Sequence, residues 1–190
     1  MIALNLQDAL VARLQDIFSD YALPTKSGAK KIVKVFPQYL PQPKGPKVKP
    51  RGEDAQEEDA EDIYGPEDFE ENFPCIIVKF DEGTDKEENA PDATRISVRI
   101  LIGAYDSSPD EQGYRDVMNI METIRQEFLS ARYLERRYRL EMPFKWYLFE
   151  DQPWPVFFGQ IETVWETGRP IMPGRGNIYG KNLSVSIHTP

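Results

Sequence analysis

A chain of 190 residues suffices for one domain with a sizeable core and for segments that lie outside it. Apolar residues make up 40%, proline reaches 16, and Asp plus Glu outnumber Lys plus Arg by 32 to 23, so much of the polarity is expected outside the core. A net charge of −9 opposes general attraction to nucleic-acid phosphates and anionic membranes, and a single cysteine, Cys75, excludes an intrachain disulfide and a Cys-rich zinc site.

In chain order, Leu6, Leu10, Leu14, Ile17, Phe18 and Tyr21 fall at helical spacing, with Gln7, Arg13, Gln15, Asp16 and Asp20 on the other side. An amphipathic helix is expected, capped by Asn5, favoured by Asp8 at its positive end and limited by Pro24. The charges of Asp8, Arg13 and Asp16 argue against a signal peptide or a membrane span in this segment, and no other window approaches a span. Lys31 to Phe36 reads as a short strand. From Lys26 to Arg51 there are eight basic residues and no acid, and from Glu53 to Glu71 eleven acids and no base. Residues 41–72, with Pro41, Pro43, Pro46 and Pro50, therefore read as an insertion that offers opposite charges at its two ends.

Cys75 to Phe80 is a nearly continuous apolar run suited to a buried strand, entered through Pro74. An acidic loop from Asp81 to Asp92 follows, then a strand in which Ile96, Val98, Ile100, Ile102 and Ala104 alternate with Arg95, Ser97 and Arg99; the two strands are expected to form a long-looped hairpin. Ser108, Pro109 and Glu111 spell a capping box for a second helix, with Tyr114, Val117, Met118, Met121, Ile124 and Phe128 as its apolar stripe. After a basic turn at Arg132, Arg136 and Arg137, a strand pattern runs from Tyr138 to Leu148, where Pro143 implies an edge position or a bulge. A final antiparallel strand is expected from Val156 to Glu166. The chain from Arg169 to Pro190 is rich in Gly and Pro and then β-prone at Leu183, Val185 and Ile187, which suits pairing with a neighbouring subunit. The expected fold is α+β: an antiparallel (mixed) sheet packed by two helices, in the order α-β-(insertion)-β-β-α-β-β. One domain spans 1–40 and 73–170, with an insertion arm at 41–72 and an extended tail at 171–190.

The residues offer little for catalysis. Nucleophilic chemistry needs a base beside Ser or Cys, and the sole histidine, His188, stands in the terminal tail. Cys75 lies in an apolar run, no Walker loop occurs, and Gly174-Arg-Gly176 is too short for a dinucleotide fingerprint. No cofactor or metal site is expected: Asp81, Glu82, Asp85, Glu87, Glu88 and Asp92 lack calcium-loop spacing and read as a solvated charged loop. Trp146, Tyr147, Trp154, Phe157, Phe158 and Trp165 lack interleaved Lys and Arg and suit core and interface better than base stacking. Interface residues are expected in the arm and tail, at Lys44, Lys47, Lys49, Arg51, Ile63, Tyr64, Phe69, Tyr179, Leu183, Val185 and Ile187.

The order of elements, with Phe73-Pro-Cys-Ile-Ile-Val-Lys-Phe80, Arg95-Ile-Ser-Val-Arg-Ile-Leu-Ile-Gly-Ala-Tyr105, Gln112-Gly-Tyr-Arg-Asp-Val117 and Phe158-Gly-Gln-Ile-Glu-Thr-Val-Trp165, resembles the tail terminator (tail completion) proteins of long-tailed bacteriophages. The resemblance covers about residues 1–36 and 73–170; the long insertion and extended tail depart from it. It implies a structural virion protein rather than an enzyme, made in the host cytoplasm. Its copies would form a hexameric ring that caps the tail tube at the head-proximal end and meets a head-side connector or stopper. DNA would pass through the lumen without sequence-specific binding. Three alternatives stay open: a neighbouring head-completion (neck) protein; from another class, a carboxylate- or metal-dependent hydrolase; and a soluble adaptor unrelated to phage. Replacing Cys75 or His188 with Ala is expected to leave assembly near the unmodified level, with about 1 kcal/mol of stability lost at Cys75; loss of assembly by either variant with the fold intact, read by circular dichroism and sedimentation, would speak for chemistry at that residue.

Overall fold

Alternation from Arg95 to Ala104 and from Phe157 to Trp165 gives each segment one apolar side, and two helical stripes are available to cover it. The computed structural model describes residues 2–24, 30–41, 72–85, 93–108 and 112–168. Along the chain these form α1 (Ile2–Ile17), β1 (Ala22–Pro24), β2 (Lys30–Ile32), β3 (Lys34–Pro37), β4 (Cys75–Asp85), β5 (Ala93–Tyr105), α2 (Gly113–Ser130), β6 (Tyr133–Leu134), β7 (Tyr138–Leu148) and β8 (Val156–Gly168). β1 and β2 make a small antiparallel pair, and the other six strands form one curled mixed sheet in the order β3-β4-β5-β8-β7-β6. Its centre is β5 against β8, antiparallel from Ala93↔Gly168 to Tyr105↔Val156 without a break in register.

Both helices cover one face of this sheet, as the α+β reading expects. Leu6, Leu10 and Leu14 of α1, with Phe18 just beyond it, pack with Ile76, Val78, Ile96, Ile100 and Ile102 from the strands and with Val117, Ile120, Ile124 and Phe128 from α2. Each such side chain contributes about 1.5–3 kcal/mol on burial. Trp165 is wholly buried, its ring edge-on to Phe128 at 5.6 Å; its Nε1 donates to Thr163 Oγ1, whose hydroxyl donates to the Val98 carbonyl. The polar atoms of this core row are thereby satisfied. Gly159 lets α2 lie close on β8, because a Cβ there would come within 2.8 Å of Val117 Cγ1 and 3.0 Å of Met121 Sδ.

The only parallel pair in the six-stranded sheet is β3 with β4. Parallel neighbours require a crossover of about a dozen residues or more. The segment expected as an insertion is therefore in part a topological necessity: it carries the chain from Pro37 back to Cys75. Beyond Pro37 the backbone turns away at Gln38 (φ 63°), and the Gln38 side chain takes over the strand's role, its Oε1 accepting from the Phe80 N–H at 2.9 Å. Gln7, expected on the solvent side of α1, is instead buried and donates to the Val78 carbonyl (2.7 Å) and to Gln38 Oε1 (2.9 Å), tying the helix to this edge.

Several local expectations change in the fold. Asn5 does not cap α1, which already begins at Ile2 because Ile2 and Ala3 pack on the core; the helix ends at Ile17, leaving Tyr21 beyond it. The stretch Lys31 to Phe36 splits at Val33 into β2 and β3. Asp81 to Asp85 continue β4 past a bulge rather than opening a loop. The Ser108 N–H and hydroxyl both donate to Asp106 Oδ1 in a local turn; the other residues of the expected capping box, Pro109 and Glu111, lie outside the described residues, and α2 starts at Gly113 with no side-chain cap on Gln112. Of the two methionines, Met121 is core and Met118 is 41% exposed. The bulge expected at Pro143 lies between Glu141 and Lys145. Gly159→Val should cost about 1–3 kcal/mol through overpacking under α2, whereas Gly168→Ala, with nothing within 4 Å of its Cβ, should be neutral; urea denaturation of both variants checks this.

Candidate interaction surface

Residues that alternate with the core positions point to the opposite face of the sheet, where no described helix lies. At one end of this bare face the strands set charges in rows. Arg95, Glu166 and Arg139 stand side by side across β5, β8 and β7, and so do Arg99, Glu162 and Lys145, so each glutamate of β8 has a base on both sides. Arg95 Nε meets Glu141 at 2.8 Å, Arg139 meets Glu166 at 2.7 Å, and Arg99 meets Asp81. The Tyr147 hydroxyl donates to Glu162 (3.0 Å) and accepts from Gln160 Nε2 (2.7 Å); burial, then the Glu162 carboxylate, raises the Tyr147 pKa. These partly exposed pairs contribute about 0.2–1 kcal/mol each, and their cross-strand order agrees with the register that the buried face sets.

The other end of the same face is apolar. Phe73, Cys75 and Ile77 are buried there, with Phe36, Leu40, Leu101, Tyr105, Val156 and Phe158 packed around them. Gly103 makes this possible: a Cβ would lie 2.6 Å from the Phe73 ring and 3.0 Å from the Phe158 ring, which meet edge-on at 6.0 Å across the glycine. Phe149 and Tyr147 extend the aromatic row, with centroids 6.5 Å and 6.1 Å apart along it. Gln152 closes the β7–β8 loop beside them, donating to the Phe149 and Phe158 carbonyls and accepting from the Phe158 N–H. Leu40 and Phe73 belong to this cluster, so the crossover segment leaves and rejoins the fold at the apolar end of the bare face.

All the interface residues expected from sequence, Lys44, Lys47, Lys49, Arg51, Ile63, Tyr64, Phe69, Tyr179, Leu183, Val185 and Ile187, lie outside the described residues. The bare face was not among them. The continuous apolar runs at Cys75–Val78 and Ile100–Ala104 signalled burial on both sides of the sheet at that end, whereas the alternation at Arg95–Arg99 signalled charges on the helix-free side. The aromatics divide: Phe157 and Trp165 are core, while Trp146 (47%), Tyr147 (42%) and Trp154 (59%) are exposed. No group of three or more His, Cys, Asp or Glu side chains able to hold a metal occurs among the described residues. Asp81 and Asp85, once grouped in an acidic loop, are engaged with Arg99 and Thr94. No helix among the described residues is long and apolar enough to cross a membrane. No protein-family model matches the chain, and no curated protein matches it.

Burial pushes the Cys75 thiol from 9.0 up to about 12. The folded protein thus keeps a proton that the unfolded chain loses near 9, so the stability this provides is complete below that value and is lost as pH climbs toward about 12. Tyr21 and Tyr138, both raised chiefly by burial, act in the same direction. In urea titrations the unmodified protein should lose about 1.4 kcal/mol more per pH unit than Cys75→Ala across this window, and the thiol should resist maleimide until the protein unfolds. Equal alkaline slopes for the two proteins would show that Cys75 ionises freely in the fold.

Proposed function

We propose that this chain is a structural ring subunit at the head-proximal end of a long-tailed phage tail, six copies capping the tail tube and meeting a head-side connector or stopper. The observation that carries the reading is the one-sided placement of the helices: both described helices cover one face, and the other carries an aromatic cluster, with Tyr147 exposed beside it, and a row of partly exposed charges. Such a face suits protein contact, with apolar area for affinity and fixed charges for register.

Three further features support it. The segments carrying the resemblance build the centre of the fold, since Phe73–Phe80 leads into β4, Arg95–Tyr105 makes up most of β5, Gln112–Val117 opens α2 and Phe158–Trp165 lies in β8. The two sheet edges differ, β3 being a parallel strand beside the crossover and β6 a two-residue antiparallel strand beside an arginine turn. Unlike edges suit head-to-tail contacts, which close into rings rather than two-fold dimers. A net charge of −9 is compatible with a lumen that DNA traverses without sticking.

Tyr147→Lys with Trp154→Lys places charge on exposed aromatics at the bare face and its adjoining loop. These changes should move the melting temperature by less than a few degrees while sharply reducing ring formation in sedimentation velocity and capping of purified tail tubes in electron micrographs. A chain that stays a dimer at every concentration and ignores tail tubes would remove the ring reading.

A further inference from the structure

Arg132, Arg136, Arg137 and Arg139 crowd the corner where β6 turns into β7, and all four are exposed. The turn is tight: the Arg137 N–H bonds the Leu134 carbonyl at 3.0 Å, and Glu135 and Arg136 both take positive φ, 51° and 55°. Left-handed backbone costs a non-glycine residue about 1 kcal/mol or more, so these side chains are held at the tip against local preference. Arg139 is already paired with Glu166 and Glu141. Arg137 stacks on the Tyr138 ring at 5.4 Å. No carboxylate partner is seen for Arg132, Arg136 or Arg137 among the described residues, so with Glu135 the tip carries a net charge of +2 on a chain of net charge −9. Beside it a cleft of about 460 Å³ is lined by Arg95, Arg132, Tyr133, Arg139, Glu141 and Met142, together with Leu140.

We infer that this arginine corner is the receptor for the acidic block Glu53–Glu71 of an adjacent copy of the chain. The inference rests on the ring reading and names one of its contacts. The complement is within the sequence itself, eleven carboxylates with no base between them. In sequence the block falls between β3 and β4; β3 forms one edge of the sheet and the corner lies at the other edge, by β6, five strand spacings away. At about 4.8 Å per spacing that separation is roughly 24 Å. In a head-to-tail ring the β3 edge of one copy faces the β6 edge of the next, which brings the acidic block of the first to the corner of the second. Arginine forks bind carboxylates bidentately, and three of them on a rigid turn fit a run such as Glu57-Glu58-Asp59.

The test uses the full chain with its own block neutralised (Glu57→Gln, Glu58→Gln, Asp59→Asn, Glu61→Gln, Asp62→Asn) and a fluorescent peptide of residues 53–71. The peptide should bind, and Arg132→Glu, Arg136→Glu, Arg137→Glu should weaken it at least tenfold, as should raising salt from about 50 to about 500 mM. The corresponding three lysine changes, which keep the charge, should retain most of the binding and control for folding. Absence of binding, binding indifferent to the glutamate changes, or displacement of the peptide by a DNA oligonucleotide at lower concentration would overturn the inference. Sedimentation of the unmodified chain separates the two readings. If the peptide binds the corner but the glutamate variant still forms rings, the neighbour contact is overturned and the ring stands. If the peptide binds but the unmodified chain never self-associates, the corner stands as an acidic-segment receptor and the ring falls.

Discussion

The pairing of β5 with β8 is the constraint on which the rest of this fold depends. Thirteen residues of each strand stay in register without a bulge, so parity along the chain decides which side every residue faces over the whole length of the sheet. Ile96, Val98, Ile100 and Ile102 meet Trp165, Thr163, Ile161 and Gly159 on one side. Arg95 and Arg99 meet Glu166 and Glu162 on the other. A slip of one residue would bury those charges and expose the isoleucines.

Two asymmetries are built on this centre. Both helices sit on one side, linked by the Arg13–Glu127 pair at 2.9 Å and tied to the β4 edge through Gln7, and no described helix lies on the second face. Each flank of the sheet then ends differently, in a parallel strand on one side and a two-residue strand on the other. The parallel strand makes a long crossover obligatory. A segment that reads as an insertion in the sequence is thus anchored at both ends in the aromatic cluster formed by Leu40, Phe73 and their neighbours.

In a protein whose described helices lie on one sheet face and whose sheet edges are unlike, the character of the other face is set by the same register that forms the core. The aromatic end rests on Gly103, where two rings cross over a missing side chain, and the charged end on glutamates of β8 flanked by bases. The polar and apolar halves of the helix-free face therefore share strands.

The sequence by itself determined the class of fold, the two helices and the long strands, because helical stripes at Leu6–Phe18 and Val117–Phe128 and alternation at Arg95–Ala104 and Tyr138–Leu148 are local periodicities that burial enforces directly. It also marked the segment 41–72 off from the core through its proline and charge blocks, though as an insertion rather than a crossover, and signalled the bulge through Pro143. The helices start elsewhere than it placed them: Ile2 and Ala3 find core contacts ahead of Asn5, and α2 begins at Gly113, beyond Ser108. Only tertiary structure decided that β3 runs parallel to β4, that Gln7 is buried against Val78, and that Ile77, Leu101 and Phe158 gather into a second cluster behind the sheet. These depend on which strands become neighbours, a matter of long-range pairing and edge order that no local pattern of residues encodes.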